Sequence, residues 1–245
     1  YVLKNSFGGA RSALTITNSF EEIEEHFNKN KSVNFDPEKC EDAVCHSSVK
    51  YNIIQEFMEP GLLIKNRKCG IRFYLIIFSK NKKLSGYLYK NGICYYSKSD
   101  YNKTNNLENN VVGVSKVMKN FIEENNLPSY YNEYTEYIKK HYNINTYQIN
   151  YFMKNLRSHC KIIINSVKDN LVFDNRINIK KYSIYALDVE YDKNFKPYIF
   201  EGNFYFARYK SNEKNGELIM DMYNDIYYKL GLTNKLKYGF YDLYI

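Results

Sequence analysis

Two strand-like segments near the C-terminus constrain the fold more than any other feature of the sequence. Residues 182–191 and 196–204 are rich in aromatic and β-branched side chains, and only the four-residue segment 192–195 separates them. Parallel strands need a crossover connection of about a dozen residues or more, so two strands joined this closely have to pair antiparallel. The sequence therefore predicts an antiparallel hairpin.

The rest of the pattern predicts more strands, together with amphipathic helices. Short apolar segments bounded by turn residues predict strands at 1–4, 14–16, 51–58, 71–78, 86–89 and 92–97. Apolar residues at helical spacing predict a helix that begins after Ser19 and others at 111–124, 147–169 and 217–230. Ser19 with Glu22 is a capping-box signature, and Gly231 is placed to end the last helix. These elements predict an α+β fold of antiparallel sheet with packed helices.

Composition excludes several classes of protein. With 44% hydrophobic and 17% aromatic residues, the chain is too apolar for a disordered protein. No apolar run reaches the roughly 18 residues that a membrane span needs, and nothing at the N-terminus is typical of a signal peptide. The five cysteines have no regular spacing, which favours a reducing compartment over a disulfide framework. Cys40, Cys45 and His46 have loose zinc-ligand spacing, with no fourth ligand near them in the sequence.

The charge balance leaves several partners open. A net charge of +8 suits a nucleic acid, an anionic membrane surface, a nucleotide or an acidic protein. The sequence contains no block of five or more like charges and no zinc-finger spacing, so compositional bias explains the excess equally well.

The predicted hairpin gathers oxygen-bearing side chains on one face. A turn at 192–195 places Asp188 opposite Ile199 and diagonal to Glu201, about 7–8 Å away, with Asn203 on the same face. Carboxylate and amide oxygens suit Mg²⁺, especially Mg²⁺ that also holds phosphates. The alternative interpretation is a solvated polar face.

A glycine-containing loop follows the first predicted strand. Gly8 and Gly9 permit a tight loop whose N–H groups can line an anion, and Lys4 and Arg11 add positive charge on either side. The loop lacks the spacing of a phosphate-binding P-loop, and an ordinary β-turn would have the same composition.

A third feature lies around the break at Pro60. A strand that ends there can present backbone groups to a purine edge, at Gln55, Glu56, Phe57 and Met58. Farther on, Lys68 and Arg72 are four residues apart and fall on the same face of a strand. The alternative interpretation is a surface strand that carries two cations.

In this order, the three features resemble the tubulin–tyrosine ligase-like family, which includes tubulin polyglutamylases and glycylases. That family carries a Lys before a Gly/Ser loop, a Gln-Lys-Tyr-Ile-like hinge, an Arg-Lys-Phe-Asp-Ile-Arg run, and an Asp followed by Lys-Pro-Trp-Leu-x-Glu-Val-Asn. The corresponding segments here are residues 4–11, 55–58, 67–72, and Asp188 with 196–203. The resemblance covers almost the whole chain.

The resemblance implies an ATP-grasp fold with the nucleotide between two subdomains. Residues 1–58 would form the central subdomain, with the glycine loop and the hinge strand. Residues 59–245 would form the C-terminal subdomain, with the metal-binding hairpin. The chain begins at Tyr1 rather than at a methionine, and we expect it to be a fragment that lacks the family's N-terminal subdomain.

The resemblance also implies roles for individual residues. Lys4 and Lys68 would bind the ATP phosphates, with Gly8, Gly9 and Arg11 in the loop that covers them. The hinge, formed by Gln55, Glu56, Phe57 and Met58, would bind adenine largely through its backbone. Two catalytic residues are implied, Arg72 facing the γ-phosphate or the reacting carboxylate and Glu201 on the metal. The implied Mg²⁺ ligands are Asp188, Glu201 and Asn203.

The reaction implied by the resemblance is ATP-dependent amide ligation. A protein carboxylate, on a tubulin tail or a similar acidic acceptor, would form an acylphosphate and then an amide with a free amino acid. The cofactors would be ATP and Mg²⁺, and the location would be the cytoplasm, in association with microtubules. The resemblance implies no nucleic-acid partner and no membrane span.

Some positions depart from the family pattern. Gly70 replaces the Asp of Lys-x-Asp-x-Arg, Tyr95 stands where the family has an Arg, and Glu56 replaces the Lys of the hinge. A His-Leu-Thr-Asn segment of the family has no counterpart here. The alternative function is therefore a catalytically impaired ATP-grasp pseudoenzyme that binds nucleotide and a tubulin-like partner.

Overall fold

The N-terminal part of the chain forms a small antiparallel sheet. The computed structural model describes residues 1–4, 14–30, 53–80, 83–102, 112–113, 116–168, 181–203 and 214–244. Strands β1 (Val2–Lys4), β2 (Leu14–Ile16) and β3 (Ile53–Gln55) pair in the order β2–β1–β3. Only part of the strand predicted at 51–58 is therefore present among the described residues. Glu56 and the residues after it leave the sheet, because the pairing with β1 ends where Val2 meets Gln55.

Helix α1 (Phe20–Asn30) follows β2 and begins where the sequence predicts. The Ser19 hydroxyl accepts a hydrogen bond from the Glu22 N–H at 3.2 Å, which is an N-cap contact. The reciprocal half of the predicted capping box does not form. The Ser19 N–H donates to Thr17 Oγ1 instead, and the Glu22 carboxylate accepts from the Thr17 hydroxyl.

Within the described ranges, the larger sheet has eight strands and is organised around one long strand, β5 (Arg67–Lys80). The main path runs β10–β9–β5–β6–β11, while two shorter strands pair with β5 and a third pairs with one of them. The other strands are β4 (Leu63–Ile64), β6 (Lys83–Tyr89), β7 (Ile93–Ser97), β8 (Val112–Gly113), β9 (Lys181–Tyr191), β10 (Pro197–Asn203) and β11 (Phe240–Asp242). The predicted turn between β5 and β6 is confirmed by the pairing of Lys80 with Lys83.

Helices cover both faces of this sheet. They are α2 (Lys116–Glu124), α3 (Tyr131–Tyr142), α4 (Thr146–Val167) and α5 (Lys214–Leu230). Odd-numbered β5 residues such as Phe73 pack against α3 and α4, and even-numbered ones such as Ile76 pack against α5. Burial on both faces explains the continuous apolar sequence at 73–78. None of the helices in the described ranges is long and apolar enough to cross a membrane.

One predicted helix end is confirmed and one predicted helix start is wrong. Gly231 follows α5 with a φ of +79°, as expected for its C-terminal stop. The helix predicted at 111–124 begins only at Lys116, because Val112–Gly113 pairs with β7 as a strand.

Helix α3 and strand β11 are absent from the sequence-based assignment. The buried side of α3 consists of Tyr131, Tyr134 and Ile138, so tyrosines supply most of its apolar stripe and polar residues fill the rest. The Glu133 carboxylate accepts the backbone N–H of Ser129 at 2.9 Å and so secures the start of the helix.

Gly61 fixes the chain that leaves the hinge against the end of β9. Its N–H donates to the Tyr191 carbonyl at 3.0 Å, and a Cβ at this position would lie 2.3 Å from the Asp192 carbonyl oxygen.

We expect Gly61→Ala to lower the free energy of unfolding by about 1–3 kcal/mol, since the backbone has to move to make room for the methyl group. Urea denaturation measures the loss. Gly202→Ala is the control, because its Cβ would meet only Leu187 Cδ2 at 3.6 Å; equal stability of the two variants would contradict the prediction.

Candidate functional site

The β9–β10 hairpin forms, but its turn is one residue longer than predicted. Pro197 pairs with Tyr191 and Ile199 pairs with Val189, which leaves 192–196 in the turn and contradicts the predicted pairing of Asp188 with Ile199. The extra residue has a physical basis. The side chain of Phe195 is buried and stacks on the Tyr191 ring at a centroid distance of 4.7 Å, and its φ of +60° turns the chain back.

A β-bulge reverses the effect of the longer turn. The register shifts between Ile199 and Glu201, so that Phe200 is the extra residue and Glu201 lies directly opposite Asp188. Asn203 lies opposite Ala186, two residue pairs farther along. Without the bulge, Glu201 and Asn203 would project from the other face of the sheet. The prediction that Asp188, Glu201 and Asn203 share a face is therefore confirmed, and the separation is that of a direct cross-strand pair rather than a diagonal one.

Arg72 extends this row of side chains onto β5. It pairs with Asp188 across the β5–β9 ladder. Its guanidinium donates to both carboxylate oxygens, from Nε to Oδ1 at 2.7 Å and from Nη2 to Oδ2 at 2.8 Å. Burial opposes the charge on Arg72, but the hydrogen bonds to Asp188 and the charge interactions with Tyr95, Asp188 and Tyr74 together outweigh it and raise the pKa of the guanidinium above its usual range. Arg72 is therefore a fixed cation, held in a bidentate pair.

Tyr95 packs beside this cation. Its ring centroid lies 5.2 Å from Arg72 Cζ, a cation–π distance, and its side chain is buried. Tyr95 belongs to β7, where it pairs with Gly70. An aromatic ring therefore supports Arg72 at the position where the family pattern has a second cation.

Lys68 lies on the same face of β5 and is also paired. Its Nζ lies 3.0 Å from Glu190 Oε2, and the two side chains are 6% and 13% exposed. The Lys68 backbone N–H donates to Ser97 Oγ at 3.1 Å. The ring centroid of Phe57 lies 5.0 Å from the ammonium. The predicted hinge and the predicted phosphate-binding lysine are thus neighbours in space.

The hinge segment lies beside the end of the larger sheet. Residues 56–60 form neither helix nor strand. The backbone N–H and C=O groups of Glu56, Phe57 and Met58 are therefore not part of a β-sheet ladder. Farther on, the Glu59 carboxylate accepts the Tyr101 hydroxyl at 2.5 Å, which ties this segment to the chain after β7.

The glycine-loop residues lie largely outside the described part of the chain. Lys4 is the last residue of β1 and pairs with Leu14 and Ile53, which places it at the end of the small sheet. Gly8, Gly9 and Arg11 are outside the described residues, as are Cys40, Cys45 and His46.

The donor set on the hairpin fits a magnesium ion that completes its coordination with phosphates and water. Mg²⁺ usually binds through one or two carboxylates together with substrate phosphates, and Asp188 and Glu201 face each other across the ladder. A carboxylate has about four acceptor sites, so the two bonds from Arg72 leave capacity on Asp188. Within the described ranges, no three His, Cys, Asp or Glu side chains gather closely enough to hold a metal by themselves. This arrangement suits a metal–nucleotide complex better than a metal held by protein alone.

Glu190 and Tyr95 are the residues of this site that the sequence analysis missed. Glu190 is two residues from Asp188, so the twofold alternation of a strand already places it on the same face. Tyr95 stands where the family pattern has an Arg, and no sequence signal indicates its contact with Arg72.

The comparison with known families agrees with the geometry. The family model described as "Tubulin-tyrosine ligase family" matches residues 8–226, which is most of the chain. No curated protein matches the chain. The antiparallel sheets with packed helices are consistent with the ATP-grasp fold of that family, and the resemblance seen in the sequence is confirmed. The chain belongs to the tubulin-tyrosine ligase family.

Proposed function

We propose that the protein is an ATP- and Mg²⁺-dependent ligase that joins a protein carboxylate to an amino acid. Family membership implies ATP-dependent ligase activity in general, and the identity of acceptor and amino acid is part of the proposal. The observation that carries it is the row formed by Arg72, Asp188 and Glu201 on adjacent strands, beside Lys68 and the hinge. Fixed cations next to metal-binding carboxylates are what phosphoryl transfer requires.

The proposed reaction has two steps. An acceptor carboxylate oxygen attacks the γ-phosphorus of ATP, which gives an acylphosphate and ADP. The amino-acid nitrogen then attacks the acyl carbon, the amide forms, phosphate leaves and the amine gives up a proton. Asp188, Glu201 and Asn203 would hold Mg²⁺, which neutralises charge on the phosphates. Arg72, oriented by Asp188, would hold the reacting phosphoryl group or the acceptor carboxylate.

The proposal includes an arrangement of the chain around the nucleotide. Residues 1–58 would be the central ATP-grasp subdomain and 59–245 the C-terminal one. The hinge at 55–58 would bind adenine, and the loop containing Gly8, Gly9 and Arg11 would cover the phosphates together with Lys4. The net charge of +8 suits an acidic acceptor such as a tubulin tail, and we place the protein in the cytoplasm with microtubules.

A second candidate is a pseudoenzyme that binds nucleotide without turnover. Two observations favour it. Gly70 is buried and offers no carboxylate, and at Tyr95 a buried ring stands where a cation would complete the site. The loss of one transition-state donor costs about 10²–10³ in rate, whereas nucleotide binding depends on many contacts.

One pair of measurements separates these functions. We expect calorimetric titration with ATP to show binding that depends on Mg²⁺. We also expect the release of ADP to increase when an acidic tubulin-tail peptide and an amino acid are added together. ATP binding without this stimulated release would support the pseudoenzyme. The absence of ATP binding, both with and without Mg²⁺, would contradict both functions.

A further inference from the structure

The ion pair between Lys68 and Glu190 is an unusual feature for a nucleotide site. Lys68 is only 6% exposed, and its ammonium lies 3.0 Å from the Glu190 carboxylate. A buried pair of this kind carries no net charge, although a phosphate-binding lysine is useful because of its charge. Arg72 and Asp188 form a second neutral pair on the same face of the sheet.

Gly70 lies between Lys68 and Arg72 on the same face of β5. The β5–β9 ladder pairs Arg72 with Asp188 and Ile71 with Val189; Gly70 precedes Ile71 on β5, and Glu190 follows Val189 on β9. Gly70 has no side chain, so the carboxylate of Glu190 can cross above β5 toward Lys68. A carboxylate thus enters this part of the site from the neighbouring strand, β9.

We infer that Glu190 sets the charge of the nucleotide site and limits its affinity for a nucleoside triphosphate. This inference rests on the proposed function. A bound phosphate has to share the Lys68 ammonium with Glu190 and is repelled by the Glu190 carboxylate. Glu190 therefore offsets the attraction that Lys68 would otherwise exert, and the phosphates depend mainly on the remaining cations and the metal.

The test is Glu190→Gln, titrated with ATP, ADP and AMP in the presence of Mg²⁺. Glutamine keeps an oxygen acceptor for Lys68 and removes the negative charge. We expect ATP to bind about tenfold more tightly than it does to the wild type, which is the effect of about one charge-assisted hydrogen bond. The gain should be smaller for ADP and smallest for AMP, because the number of phosphate charges falls. Glu136→Gln is the matched control, since its carboxylate is 73% exposed on α3.

A second variant tests the same inference by removing both charges of the pair at once. Lys68→Met combined with Glu190→Leu replaces the pair with apolar side chains of similar size, a change that proteins often tolerate. Because the pair contributes attraction and repulsion together, we expect this double variant to bind ATP within about threefold of the wild type. Circular dichroism establishes that each variant is folded.

Several outcomes would overturn the inference. Unchanged or weaker ATP binding by folded Glu190→Gln would do so, as would an equal gain for ATP and AMP, which indicates a contact with the base or sugar. A loss of tenfold or more in the double variant would show that Lys68 attracts phosphate regardless of Glu190. If the wild type binds no ATP, the proposed function fails as well, which distinguishes that failure from the others.

Discussion

Glu201→Gln is expected to remove the Mg²⁺-dependent part of ATP binding and to lower any ATP turnover by about 10²–10³. Glu201 is exposed and lies directly opposite Asp188 on the hairpin. Glutamine has nearly the same shape but lacks the negative oxygen that a hard cation prefers. Titration with ATP, with and without Mg²⁺, measures the binding effect.

The physical reason for this large effect is the small number of ligands. Mg²⁺ bound through phosphates keeps few protein ligands, so each carboxylate has a large share of the attraction. Asp188 already shares its charge with Arg72 at 2.7 and 2.8 Å. Glu201 is therefore the carboxylate more available to the metal.

The control for Glu201→Gln is again Glu136→Gln, which removes an exposed carboxylate from α3 and should leave binding unchanged. Thermal unfolding should shift little in both variants, since surface substitutions usually change stability by less than about 0.5 kcal/mol. If Glu201→Gln retains full Mg²⁺-dependent ATP binding, Glu201 is not a metal ligand and the hairpin assignment is wrong.

The composition of the hairpin face could be predicted from the sequence, whereas its register could not. If the turn between the two strands has an even number of residues, strand alternation alone places Asp188 and Glu201 on the same face of the hairpin. The actual chain contains two one-residue changes, a turn lengthened at Phe195 and a bulge at Phe200, and their effects on the facing of side chains cancel. Both depend on tertiary packing, such as the stacking of Phe195 on Tyr191.

The ion pairs of the site show another limit of prediction from the sequence. Lys68 and Arg72 are predictable as two cations on one strand face, because that follows from their spacing. Their partners, Glu190 and Asp188, are on β9, and only the pairing of β5 with β9 joins residues so distant in the chain. The same holds for Tyr95, which reaches Arg72 through β7.

A buried carboxylate on α5 contributes to stability rather than to the site. Asp225 is completely buried, and its two oxygens accept three backbone N–H groups from the segment before β11. The donors are Lys237 at 2.7 Å and Tyr238 and Gly239 at 2.9 Å each. Its position among the inward-facing residues Met222 and Ile226 was a sequence signal that could have identified it.

Asp225→Ala is expected to lower the free energy of unfolding by about 3–5 kcal/mol, because three N–H donors, one buried and two partly buried, lose a fully buried acceptor together. Asp225→Asn should cost less, since the amide keeps one oxygen, although its NH₂ group then faces a donor. Asp221→Asn is the matched control one turn earlier on α5. Its contact is with the exposed Lys237 Nζ at 2.6 Å, and such surface pairs contribute about 0–1 kcal/mol. Urea denaturation of the three variants gives the order, and an Asp225→Ala loss no larger than that of Asp221→Asn would show that water replaces the carboxylate.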